Sequence, residues 1–120
     1  MEKRNVLKEK SFAFALRIVN AYKYLTSEKK EFVLSKQLLR CGTSIGAMVR
    51  EAEYAQSLPD FINKMNIALK EANEAEYWLM LLNKSKYIDC KVYLSIVGDC
   101  QELLRLLIST LNTSKKKLTK

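Results

Sequence analysis

The amino-acid sequence predicts an all-α protein, an up-down-up-down antiparallel four-helix bundle. Apolar residues recur at spacings of three and four in four separate segments, and none of these segments shows the alternation of a half-buried strand. Only three Gly and one Pro occur among 120 residues, so few positions interrupt a helix. A chain of this length suits one domain, and short connections between long helices make sequential helices antiparallel.

The first half of the chain predicts helices over residues 5–25 and 30–56, separated by a polar connection. The apolar face of the first helix is formed by Leu7, Phe14, Ala15, Ile18, Tyr22 and Leu25. The face of the second helix is formed by Phe32, Leu38, Leu39, Gly42, Ile45, Val49 and Ala52.

The third predicted helix has the clearest start in the chain. Ser57 and Asp60 are spaced as in a capping box. In this motif the first side chain accepts a hydrogen bond from a free backbone N–H, and the second side chain reaches back to the backbone at the start of the helix. Pro59 lies in the first turn, where its missing N–H does no harm. We therefore predict a helix over residues 58–84.

A fourth helix is predicted over residues 89–111, with Asp89 as its N-cap. Its apolar face is formed by Val92, Ile96, Val97, Cys100, Leu103, Leu104, Leu107, Ile108 and Leu111. Residues 1–113 are thus expected to form the bundle, and residues 114–120 a basic, flexible tail.

Residue types that enzymes commonly use are scarce. The chain contains no His, the usual proton shuttle at neutral pH and the commonest metal ligand. The Glu-x-x-His pairs of di-iron bundles cannot form, and Gly42, Gly46 and Gly98 do not make a phosphate-binding loop. We expect no enzymatic activity, no cofactor and no metal site.

The cysteines and the apolar runs indicate a cellular location. Cys41, Cys90 and Cys100 are odd in number and lack a C-x-x-C spacing, which favours reduced thiols. No apolar run approaches the roughly 20 residues of a membrane helix, and no signal-type segment begins the sequence. We expect a cytoplasmic protein with no membrane partner.

The formal net charge of +8 is unevenly distributed along the chain. Residues 1–50 contain eleven basic and four acidic residues, residues 51–104 contain five and nine, and residues 105–120 contain five and none. Such asymmetry is typical of a protein with an anionic partner, but it also suits a solubilising surface.

Part of the basic excess lies on one side of the second helix. Lys36, Arg40, Thr43, Ala47, Arg50 and Tyr54 are three or four residues apart and share one stripe. Basic groups beside an aromatic ring can hold phosphates and stack a base, or can form the solvated face of an amphipathic helix. The nucleic-acid interpretation predicts contacts from Lys36, Arg40, Arg50, Lys115, Lys116 and Lys117.

Small and aromatic residues suggest close contacts between helices or subunits. Gly42 and Gly46 lie in the middle of a predicted helix, where each costs about 1 kcal/mol relative to Ala. Small side chains let another backbone approach, within the bundle or between subunits, and a kinked helix is the alternative. Tyr77 and Trp78 add apolar surface beyond one core-facing stripe. We expect these four residues in an oligomer interface.

Five motifs occur in order along the chain. They are Gln37-Leu38-Leu39-Arg40-Cys41-Gly42-Thr43-Ser44-Ile45-Gly46-Ala47, Arg50-Glu51-Ala52, Ser57 with Asp60-Phe61, Ile67-Ala68-Leu69-Lys70-Glu71-Ala72, and Tyr77-Trp78-Leu79. These motifs resemble those of the four-helix-bundle proteins encoded in intervening sequences of bacterial 23S ribosomal RNA genes. The similarity spans nearly the whole chain before the tail.

The resemblance implies a cytoplasmic bundle that assembles as a homopentameric ring, without established catalysis. Similar bundles serve as accessory variability-determinant subunits of diversity-generating retroelements, where a basic ring is thought to engage nucleic acid and a reverse transcriptase. We therefore predict a non-enzymatic homo-oligomer, by resemblance a pentamer, that binds RNA or DNA weakly, with a reverse transcriptase as a partner by analogy. The alternative is a protein-interaction or scaffolding subunit whose positive charge only keeps it soluble.

Overall fold

The computed structural model describes the backbone of residues 3–119 and the side chains of residues 6–119. Four helices account for most of this range: α1 (Lys3–Ser27), α2 (Leu34–Glu53), α3 (Leu58–Lys84) and α4 (Cys90–Leu118). No strand occurs between residues 3 and 119, and the predicted four-helix bundle is confirmed.

The helices form an elongated bundle of 51 × 22 × 22 Å in which each helix packs against two others. α2 and α3 pack against each other most extensively, and α1 also packs on α2 while α3 also packs on α4. α1 and α4 make the least extensive contact. The α1–α2 and α3–α4 connections lie at one end of the bundle, here named the turn end, and the α2–α3 connection lies at the opposite end.

The core is built mainly from the faces that the helical period predicts, but three predicted members are exposed: Phe32, which lies before the start of α2, and Val92 and Ile108 of α4. Leu7, Phe14 and Ile18 of α1 are buried, and so are Leu38 and Ile45 of α2. The core side chains of α3 and α4 include Met65, Ala72, Leu79, Leu82, Ile96, Cys100, Leu103 and Leu107. Their burial supplies the main driving force for holding the four helices together.

Local hydrogen bonds define the starts of α3 and α4. The N–H of Asp60 donates to Ser57 Oγ at 3.2 Å, which is the first half of the predicted capping box. Asp60 reaches back as predicted, but its Oδ2 accepts from the N–H of Gln56 at 3.2 Å, one residue before the N-cap. The N–H of Val92 donates to Asp89 Oδ1 at 2.8 Å, so Asp89 caps α4 as expected. The bounds of α3 coincide with the predicted range.

The other helix ends differ from the predicted ranges. α2 begins at Leu34 rather than at residue 30 and ends at Glu53 rather than at residue 56. α4 continues to Leu118; no Gly or Pro interrupts its last turns, and Ser114 in this extension is buried. The predicted boundary between bundle and tail therefore falls inside α4, while Lys120 of the predicted tail lies outside the described residues.

Within the part of the chain that the structure describes, every helix is too short or too polar to cross a lipid bilayer.

Candidate nucleic-acid interface

The antiparallel topology gathers lysines at the turn end. These turn-end lysines are Lys23, Lys29, Lys30, Lys36, Lys84, Lys86 and Lys91. All seven are exposed, and among the side chains described, residues 6–119, none of the seven forms an ion pair. They come from four different helix ends, so only the folded topology makes them neighbours. The result is a positively charged surface at one end of the bundle.

Glu31 lies among these lysines, but its carboxylate is buried in the α1–α2 connection. It accepts backbone hydrogen bonds from Ser35 at 2.7 Å, Leu34 at 2.9 Å and Val33 at 3.1 Å. Burial raises the pKa of Glu31, but the hydrogen bonds from Leu34, Ser35 and Val33 outweigh it and lower the pKa below its usual value. The carboxylate therefore caps α2 instead of pairing with a turn-end lysine.

The α3–α4 connection is held in a similar way. The carboxylate of Asp89 caps α4, and the side-chain amide of Asn83 donates to the carbonyl of Ile88 at 3.1 Å. Two of the acidic residues near the turn-end lysines thus stabilise helix starts.

Each connection also contains a lysine in the left-handed backbone region. φ is 54° at Lys30 and 71° at Lys86. Gly is favoured at such positions after a helix, because a side chain there costs about 1–2 kcal/mol. Both connections thus hold a cation where local backbone energetics favours glycine.

The predicted binding residues are divided between the two ends of the bundle. Lys36 is a turn-end lysine, whereas Arg50 lies about 21 Å further along the axis of α2. Lys115, Lys116 and Lys117 are exposed in the last turn of α4, also at the end opposite the turn end. The residues predicted to contact nucleic acid therefore lie in two separate basic regions, one at each end of the bundle.

Arg40 is engaged by carboxylates of α3. Its guanidinium forms an ion pair with Glu71 at 3.2 Å and another with Glu74. Glu74 also accepts a hydrogen bond from Nε1 of Trp78 at 3.0 Å. Because two carboxylates balance its charge, Arg40 is a poor phosphate ligand, and we leave it out of the candidate interface.

A family model and a solved structure match the chain over most of its length. The model described as 23S rRNA-intervening sequence protein matches residues 3–109. The chain belongs to this family. It is 62% identical to a protein of unknown function from the S23 ribosomal protein family of Bacteroides thetaiotaomicron, with a TM-score of 0.92 over 92% of this chain and 99% of that chain. Comparison with curated proteins gives no match.

The glycines of the α2 motif allow close packing within one chain. Gly42 is buried, and a Cβ built on it lies 2.8 Å from Cγ1 of Ile18. A Cβ built on Gly46 lies 3.4 Å from the carbonyl oxygen of Ser11. These small residues allow α1 to approach α2, which is the close contact within the bundle that was one of the predicted explanations. Since Gly42 is not at the surface, we drop it from the predicted subunit interface.

The two predicted interface aromatics differ in exposure. Tyr77 and Trp78 contact each other edge to face, with ring centroids 5.1 Å apart and ring planes at 75°. Trp78 packs partly against the core, whereas Tyr77 is 53% exposed. Tyr77 is therefore the better candidate for a contact with another subunit.

An open groove of about 730 Å³ runs between α1 and α2. It is lined by Phe12, which is 61% exposed, by the small residues Gly46 and Ala47, and by Arg50. Leu16, one turn from Phe12 on α1, is also exposed. This groove is not among the predicted sites, although the uninterrupted apolar run over residues 12–16 is a sequence signal for it. Exposed apolar surface of this kind is typical of protein contacts.

The thiols differ in accessibility. The pKa of Cys41 and the pKa of Cys100 are each raised to about 12. Burial is the largest cause, and nearby carboxylates contribute further. Cys90 is exposed at the start of α4. Because a protonated thiol is a poor nucleophile, Cys41 and Cys100 are structural residues.

Among residues 6–119, no group of three His, Cys, Asp or Glu side chains is placed to hold a metal ion.

Proposed function

We propose that this protein is a non-enzymatic, cytoplasmic homo-oligomer that binds RNA or DNA weakly through the turn-end lysines. The observation that carries the proposal is the convergence of seven exposed lysines that form no ion pair within residues 6–119. Lys30 and Lys86 support it further, since each keeps a charge at a position that favours glycine. Contacts between such lysines and phosphates are independent of base sequence.

Assembly repeats the basic surface and raises the affinity for a long anion by avidity. Two unlike apolar surfaces support a head-to-tail contact between copies. One is the α1–α2 groove, which Phe12 lines, and the other is formed by the exposed side chains of Tyr77 and Met80 on α3. Contacts between unlike surfaces close into rings when the rotation between copies permits, and the family resemblance makes a pentamer the ring that we propose.

Binding is tested by fluorescence anisotropy with labelled single strands over a salt series. We expect affinity to fall by about 10³ between roughly 50 and 200 mM salt, because several phosphates exchange counterions for lysines. The triple variant Lys30→Gln, Lys36→Gln, Lys84→Gln should reduce the slope of log K against log salt by about 2.

A matched variant separates position from net charge. Lys115→Gln, Lys116→Gln, Lys117→Gln removes the same charge at the end opposite the turn end. It should keep most of the affinity and slope. Equal losses from the two variants would show that overall charge, rather than the turn end, determines binding.

Assembly is tested by light scattering behind a sizing column. The proposed pentamer has about five times the 13.9 kDa mass of the chain. Phe12→Asp should shift the mass towards the monomer, because it places a charge in the proposed contact, whereas Ala13→Asp on the same helix should not. A monomeric wild-type protein at micromolar concentration would contradict the proposal.

A second function, as a protein-interaction or scaffolding subunit, is favoured by the exposed α1–α2 groove. By analogy with retroelement accessory proteins, the partner that we propose for it is a reverse transcriptase. Salt distinguishes the two functions, because an apolar protein contact does not release counterions as a phosphate contact does. A complex that depends on Phe12 and persists at high salt would support this second function.

A further inference from the structure

A cleft between α1 and α4 opens beside the turn-end lysines, and we infer that it accepts an unstacked base of a single-stranded nucleic acid. The inference rests on the proposed function and deepens it, since it names the form of nucleic acid and one position that a base occupies.

The cleft consists of two adjoining chambers. Both are open to solvent, and the one farther from the turn end, here named the inner chamber, has a volume of about 310 Å³. It is lined by the apolar residues Ala21, Tyr24, Ile88, Val92 and Ile96 together with Arg17, Asn20 and Asp89. The outer chamber has a volume of about 380 Å³ and is lined by Lys29 and Lys86 with Tyr24, Asn83, Tyr87 and Asp89. Tyr24, Ile88 and Asp89 line both chambers, so the ring of Tyr24 lies at the boundary between the inner chamber, here also called the slot, and the outer chamber, here also called the mouth.

The packing of α1 against α4 explains why this cleft exists. Arg17 on α1 forms an ion pair with Asp99 on α4 at 2.7 Å, and its Nη2 donates to Ser95 Oγ at 3.0 Å. These contacts bridge the helices at the inner limit of the cleft. Towards the turn end, α1 presents the small side chain of Ala21, and no ion pair of the described residues joins the two helices there.

The chemistry of the two chambers matches one nucleotide. The inner chamber is at the small end of the range of about 300–1,000 Å³ for ligand pockets, which suits one flat ring. Tyr24 is 44% exposed, and Nζ of Lys29 lies 5.9 Å from the centroid of its ring. A base that occupies the slot and stacks on Tyr24 would have its flanking phosphates in the mouth, next to Lys29 and Lys86. An aromatic platform beside cations is typical of proteins that bind single strands.

Asp89 is the acidic residue that lines both the slot and the mouth, and its carboxylate accepts a hydrogen bond from the N–H of Val92 as the cap of α4. Its charge is thereby directed to a helix N-terminus, where the free N–H groups favour it. Bases of a duplex remain stacked on their neighbours and paired, so they cannot enter the slot without an unstacking cost of a few kcal/mol.

The experiment compares three labelled probes on the intact protein at about 50 mM salt. They are a single DNA strand of about 20 nucleotides, the same strand in a duplex, and an abasic strand of equal length and charge. We expect the base-containing single strand to bind about tenfold more tightly than the abasic strand, and more tightly than the duplex despite its lower charge. Tyr24→Leu, which keeps an apolar side chain but removes the ring, should abolish this difference.

Tyr54→Leu is the matched control, because Tyr54 is 80% exposed at the end opposite the turn end. It should leave the preference for base-containing strands unchanged. Equal, salt-sensitive binding of the base-containing and abasic strands, unaffected by Tyr24→Leu, would overturn the base slot while leaving the proposed function standing. Absence of binding to all three probes would overturn both.

Discussion

Gly42 on α2 and Ile18 on α1 approach so closely that a Cβ built on Gly42 lies 2.8 Å from Cγ1 and 3.2 Å from Cβ of Ile18. Ile18 is fully buried and β-branched, so its side chain cannot rotate freely to make room. The glycine is therefore required by the packing of α1 on α2.

Gly42→Ala should destabilise the protein by about 1–3 kcal/mol, because the added methyl overpacks this contact. Gly98→Ala is the opposite case, because among the described residues no atom outside the adjacent backbone of α4 lies within 4 Å of a Cβ built on Gly98. This substitution should stabilise α4 by about 0.5–1 kcal/mol. Chemical denaturation of the two variants checks both expectations. Stabilisation by Gly42→Ala would refute the packing argument.

Arg40→Gln should change nucleic-acid binding little, because Glu71 and Glu74 already balance the guanidinium. Its side chain is about half exposed, so losing these ion pairs should cost no more than about 1 kcal/mol of stability. Salt-dependent anisotropy and denaturation measure the two effects. Arg105→Gln is the control for stability, since Arg105 is exposed and forms no ion pair within residues 6–119. If Arg40→Gln reduced binding as much as the triple variant Lys30→Gln, Lys36→Gln, Lys84→Gln, Arg40 would be part of the nucleic-acid interface after all.

The capping role of Glu31 predicts a pH dependence of stability. Its pKa is lower in the folded chain than in the unfolded chain, because backbone hydrogen bonds outweigh the effect of burial. The contribution of the carboxylate is therefore present above its unfolded pKa and is lost as the pH falls through its folded pKa.

Glu31→Gln should cost about 1 kcal/mol at neutral pH and reduce the acid dependence of the unfolding free energy. Glu28→Gln, an exposed neighbour in the same connection, should do neither. Denaturation at neutral and acidic pH tests the pair. Parallel pH profiles of wild type and Glu31→Gln would rule out this role.

Thiol reactivity should distinguish Cys90 from the other cysteines. Cys90 is exposed, whereas Cys41 and Cys100 are buried and each has a pKa of about 12. A thiol-reactive dye at neutral pH should therefore modify Cys90 rapidly, and Cys90→Ser should remove this fast phase. Fast modification of two or more thiols per chain would contradict the packing of the core around Cys41 and Cys100.

Local signals made the helices predictable. The start of α3 follows from Ser57 and Asp60, which pair with nearby backbone and need no other helix. The predicted start of α2 was wrong by four residues. The carboxylate of Glu31 accepts hydrogen bonds from the N–H groups of Val33, Leu34 and Ser35, so the helix begins after Glu31. The length of α4 was underestimated, because Ser114 is buried by contacts that no local pattern predicts.

The sequence by itself determined four amphipathic helices and their order, since helix formation depends on the period of apolar residues and on caps a few residues apart. The tertiary structure decided which charges act together. Lys30 and Lys36 are distant from Lys86 in sequence but lie at the same end of the bundle. Arg40, only four residues after Lys36, is instead paired with Glu71 and Glu74 of α3. Electrostatic interactions depend on distances across the bundle, and these distances are set only when the helices pack.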